Sequence, residues 1–100
     1  MAGSTYAFTA ELWEWEGKAA WHFVSLPEDV TDEIDERHAA DAGGFGSVKV
    51  EVTIGSTTWQ TSIFPDSKRG TFILPVKKAV RTAEDLADGA MADVRLRVLI

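Results

Sequence analysis

Residues 47–64 read SVKVEVTIGSTTWQTSIF. From Val48 to Ile54 every second residue is a branched aliphatic, and Lys49, Glu51 and Thr53 stand between them. A period of two with one apolar and one polar set is a strand with one buried face. Gly55-Ser56 turns the chain. In the partner strand over 57–64, Trp59, Thr61 and Ile63 share one parity and Gln60, Ser62 and Phe64 the other. Two alternating runs on a two-residue turn form an antiparallel pair. The fold is therefore built on meandering strands, and the flanking segments must supply the rest of the sheet.

Upstream, residues 5–15 (TYAFTAELWEW) alternate with Tyr6, Phe8, Ala10 and Leu12 on one side. Glu16-Gly17-Lys18 is a turn, and residues 19–25 are a second strand with Trp21 and Phe23 opposite His22 and Val24. Ser25-Leu26-Pro27-Glu28 has the S-x-x-E form of a capping box. Acids follow it, and Arg37 and His38 close the segment, so a helix is expected over 27–38. Residues 39–46 are a loop. Downstream of the central pair, 65–70 is a turn and 71–74 a short strand. Pro75 suits the first position of a second helix, whose apolar face is Val76, Ala79, Val80, Ala83 and Leu86. Residues 91–100 form the last strand, with Val94, Leu96, Val98 and Ile100 inward. The order is β-β-α-β-β-β-α-β. It lacks the regular crossover helices of a parallel sheet. The expected fold is mainly β, a small, partly open barrel capped by two short helices. One hundred residues make a single domain, 1–100, with residues 1–4 a flexible N-terminus.

At 45% hydrophobic and 26% charged residues the chain has the material for a core. It has no cysteine, so disulfides and thiolate metal sites are excluded, and a cytoplasmic location is expected. The N-terminal residues lack the basic and apolar regions of a signal peptide, and no apolar run is long enough to span a bilayer. A net charge of −6 opposes binding to nucleic acid or to an anionic membrane. The charge is uneven. Residues 11–45 hold ten acids against Lys18 and Arg37, whereas residues 46–81 hold six bases against Glu51 and Asp66.

Five phrases in order resemble a bacterial family of domains of unknown function, the 1905th catalogued. They are FTAELW (8–13), WHFVSLPEDV (21–30), GGFGSVKVEVTIG (43–55), TSIFPDSKRGTFILPVKKAVR (61–81) and the closing LADG and DVRLRV. The resemblance implies a double-split β-barrel with helical caps, similar to the dimeric DNA-binding folds of antitoxins and transition-state regulators. Some family members join this domain to one associated with bacteriocin protection. No activity, cofactor or catalytic residue comes with the resemblance. Two departures concern turns: Gly89 is followed by Ala90 rather than aspartate, and Asp85 stands where a glycine is usual.

The basic residues concentrate in RGTFILPVKKAVR, residues 69–81. Lysines in a first helical turn face a positive dipole end unless something negative sits opposite. An external anion held by Arg69, Lys77, Lys78 and Arg81 is one reading. Acids of residues 28–36 packed nearby are a second, and lysines that simply point into water a third. Trp59 or Ser62 is expected beside this segment if it is a site. Trp21 and Trp59 read as core. Trp13 and Trp15 read as either cap packing or a contact surface. His22 and His38 fit no metal-ligand spacing, and Asp29, Asp32, Glu33 and Glu36 make a solvated helix face, so neither a metal nor a cofactor is expected. No catalytic motif is present. The leading expectation is a non-catalytic binding module for a protein partner or a small anionic ligand. An enzyme of unknown reaction is the first alternative, and a nucleic-acid-binding regulator, argued from fold similarity alone, the second.

Overall fold

The computed structural model describes residues 4–17, 21–38 and 46–99. The turn residue Lys18, residues 19–20 of the second expected strand, all but the end of the 39–46 loop, the first three residues and Ile100 lie outside them. The elements are β1 (Thr5–Glu14), β2 (His22–Ser25), α1 (Glu28–His38), β3 (Val48–Ile54), β4 (Thr57–Asp66), β5 (Thr71–Pro75), α2 (Lys78–Ala83) and β6 (Met91–Val98). The order is the expected one. The strands close into a barrel, β1-β2-β5-β4-β3-β6, in which every pairing is antiparallel.

The central hairpin sets the frame. Ile54 pairs with Thr57 across Gly55-Ser56. Gly55 has φ 60° while Ser56 keeps a negative φ, the pattern of a type II′ turn whose twist matches the strands. From there the inward row runs across four strands: Trp59 beside Val52, Val52 beside Leu96, Leu96 beside Tyr6. All four are buried, and Val52 and Leu96 completely. Strands β1 and β4 are each divided between neighbours. Residues 5–11 of β1 pair with β6, and 12–14 with β2. Residues 57–63 of β4 pair with β3, whereas only 64–66 pair with β5. This division is the split of the barrel.

The first helix seats Ile34 in the core with Val30 against it, and its acids stay exposed. It begins one residue after the expected start. The S-x-x-E signal is not used as a cap: Ser25 is the last residue of β2, and its hydroxyl accepts a hydrogen bond from Trp13 Nε1–H at 3.0 Å. The second helix is shorter than its apolar pattern suggests. Pro75 is not its first residue but the last of β5, opposite Phe23. The helix runs only from Lys78 to Ala83. It ends in a Schellman motif: Leu86 N–H donates to Arg81 C=O at 2.8 Å and Asp85 N–H to Thr82 C=O at 3.3 Å. Asp85 takes the left-handed conformation that this ending needs, φ 54°. The second turn departure is also accommodated. Gly89, at φ 87°, donates its N–H to Leu12 C=O, and Leu12 N–H donates to Ala90 C=O, both at 2.8 Å. No helix among the described residues is long and apolar enough to cross a membrane.

Candidate functional site

The hydrogen-bond alternation of the hairpin decides what β4 offers on its other side. The pair flanking a two-residue turn exchanges hydrogen bonds, and bonded pairs recur at every second residue. Thr57, Trp59, Thr61 and Ile63 therefore point their backbone groups at β3. Thr58, Gln60 and Ser62 point theirs away from it, towards β5. On β5, Phe72 C=O accepts from Leu26 N–H, and Val76 N–H, just beyond the strand, donates to His22 C=O, both at 2.9 Å. Even-numbered residues thus face β2, and Thr71, Ile73 and Pro75 face β4. The β4–β5 register pairs Asp66 with Thr71 and Phe64 with Ile73. Continued by one step it would pair Ser62 with Pro75. Proline has no N–H to give, and the ladder stops at Ile73. The chain then leaves β4 and turns into α2, which leaves a seam.

A groove of about 550 Å³ lies at this seam. Trp59, Gln60 and Thr61 of β4 form one side. Pro75, Val76, Lys77, Lys78 and Arg81 form the other, and Trp21, His22 and Phe23 extend the wall along β2. Lys77 and Lys78 are exposed and Arg81 is half-buried. Arg81 Nε–H donates to Val76 C=O at 3.1 Å, which fixes the guanidinium plane and leaves the terminal nitrogens uncommitted among the described residues. Among the described residues no carboxylate lies within ion-pair distance of Lys77, Lys78 or Arg81. The acids of α1 do not compensate them; Glu33 pairs within the helix, with Arg37 at 3.2 Å. The six-residue α2 is too short for its dipole to define a site, so the side chains carry the charge.

The other expected residues are distributed as follows. Trp59 lines the groove and is buried. Arg69 does not join the other three cations. Its guanidinium stacks 3.6 Å from the centroid of the Trp13 ring, and its Nε lies 3.6 Å from Asp66 Oδ2. Ser62 does not line the groove. Trp13 stacks on Phe23 of β2 with ring centroids 5.2 Å apart, on the outside of the barrel. Trp21 was expected in the core, but it is 59% exposed. Val24 faces the barrel, so Trp21 and Phe23 share the outer side. Trp13 covers Phe23, whereas Trp21 has the tilted rings of Trp15 and Phe23 beside it and stays exposed. Trp15 and Phe64 are also exposed, and together with Trp21 they border a second depression continuous with the groove across Phe23 and Pro75. Sequence reading missed Gln60 and His22 as lining and Pro75 as the cause of the opening. The proline itself was legible, but its place one pairing step beyond Ile73 comes from the β4–β5 register. Among the described residues no three His, Asp or Glu side chains gather to hold a metal ion.

The model of a family described as a domain of unknown function, DUF1905, matches residues 8–96. No curated protein matches the chain.

Proposed function

The chain belongs to the DUF1905 family, and for it we propose the role of a cytoplasmic, non-catalytic binding module that holds a small anionic ligand in the groove beside β4. The observation that carries this reading is a set of three cations without a carboxylate partner among the described residues, Lys77, Lys78 and Arg81, on the wall of a partly apolar groove. Like charges gathered on one wall repel each other, and an incoming anion relieves that repulsion. Arg81 adds direction. With Nε committed to Val76, its terminal nitrogens present a planar fork suited to a carboxylate or phosphate. A protein partner is the second reading. It is supported by the exposed rings of Trp15, Trp21 and Phe64 on the adjoining outer face.

The test is thermal unfolding with inorganic phosphate, acetate or citrate. It compares the native chain with a triple variant, Lys77→Ala, Lys78→Ala and Arg81→Ala. Ligand at a hundredfold over Kd stabilises by about 2.7 kcal/mol, and a domain of this size gains about 4–8 °C per kcal/mol. We expect one of these anions to raise Tm in the native chain and not in the variant. A rise that persists in the variant, or no rise with any anion, removes the reading.

A further inference from the structure

The groove has three surfaces of different chemistry, and together they narrow the class of anion. The first is a set of flat apolar faces. Trp21, Phe23 and Pro75 stand on one wall, with the Trp21 and Phe23 ring centroids 6.3 Å apart, and Trp59 stands across the seam. Trp21, 59% exposed, is the most exposed aromatic among the described residues, and the rings of Trp15 and Phe23 stand beside it. The second is the cation cluster, with the Arg81 fork oriented by Val76. The third is the edge of β4. The backbone N–H and C=O groups of Gln60 point away from β3 into the seam, beyond the point where the β4–β5 ladder ends. An inorganic anion would use only the second surface and leave the rings and the strand edge to water.

We infer that the groove takes a flat aromatic or heteroaromatic acid: one or two fused rings carrying a carboxylate or a phosphate. The ring stacks on Trp21, its edge meets the β4 backbone, and the acidic group reaches Lys77, Lys78 and Arg81. A volume of about 550 Å³ suits a molecule of this size. Stacking on an indole face is tolerant of ring identity and adds to binding beyond the charge contact. This inference rests on the anion reading above, and it goes further in requiring the ring.

Isothermal titration distinguishes the two. The ring acids are quinoline-2-carboxylate and adenosine monophosphate, which separate a carboxylate source from a phosphate source. The ring-free counterparts are acetate and inorganic phosphate, and the charge-free counterparts are quinoline and adenosine. We expect at least one ring acid to bind at least tenfold more tightly than both of its counterparts. Trp21→Ala, at an exposed position that the core does not need, should weaken that ring acid at least tenfold and leave its ring-free counterpart unchanged. The triple alanine variant should abolish both. If acetate or phosphate binds as tightly as the ring acids and Trp21→Ala has no effect, the inference is overturned while the anion reading stands. If binding survives the triple variant, or no probe binds, both fall.

Discussion

At the scale of single residues, Asp85 shows how a turn tolerates the wrong side chain. The Schellman ending of α2 needs one residue at positive φ, and glycine fills that place without steric cost. Asp85 fills it at φ 54°, and it is the only non-glycine residue at positive φ among those described. Short polar side chains visit this region more readily than others, but a Cβ still costs energy there. Asp85→Gly should therefore raise stability by about 0.5–1 kcal/mol, measured as a higher urea midpoint with an unchanged slope. A lower midpoint would mean that the aspartate contributes something its exposed position does not reveal. Gly55 is the opposite case. A Cβ there would collide with the carboxylate of Glu84, which accepts hydrogen bonds from Thr57 Oγ1 at 2.6 Å and Ser56 Oγ at 3.4 Å. That carboxylate ties the end of α2 to the central hairpin.

At the scale of elements, the consequence of Pro75 extends beyond its own ring. Were another residue there, β4 and β5 could pair for one more step, and the seam would narrow. Pro75→Val restores the N–H and adds a good strand former. We expect the amide introduced at position 75 to be protected from hydrogen exchange at least tenfold relative to an exposed amide, and the groove to lose its ligand. Full exchange of that amide would show that the seam is held open by α2 rather than by the missing donor. The short helix itself is held at its start by Val76 and Val80, both buried, and at its end by the Glu84 contacts.

At the scale of the whole molecule, the barrel is one cooperative unit. Each strand pairs with two others, so no strand can leave without breaking two ladders. Leu96 sits at the crossing of these constraints, fully buried between Tyr6 of β1 and Val52 of β3. Leu96→Ala removes three buried carbons from a closed interior and should cost about 3 kcal/mol. The loss should appear by far-UV circular dichroism and by tryptophan fluorescence at the same denaturant concentration, since the transition is shared. Two separated transitions would show that the two halves joined through β1 and β4 unfold independently.

The alternation in SVKVEVTIGSTTWQTSIF and in the terminal strands was enough to establish the element order, because side-chain parity along a strand is a local property of the backbone. The clustering of Lys77, Lys78 and Arg81 was equally legible, since helix periodicity keeps near neighbours together. Three things belonged to the tertiary structure. Trp21 is exposed because parity fixes only relative sides, and which side of β2 faces the barrel depends on Val24 docking against strands distant in sequence. Arg69 left the other cations because the turn after β4 carries it to Trp13. The groove opened because the register of β4 against β5 brings Pro75 to the step after the Phe64–Ile73 pair, where the ladder ends. Register is a relation between two strands, and neither strand contains it alone.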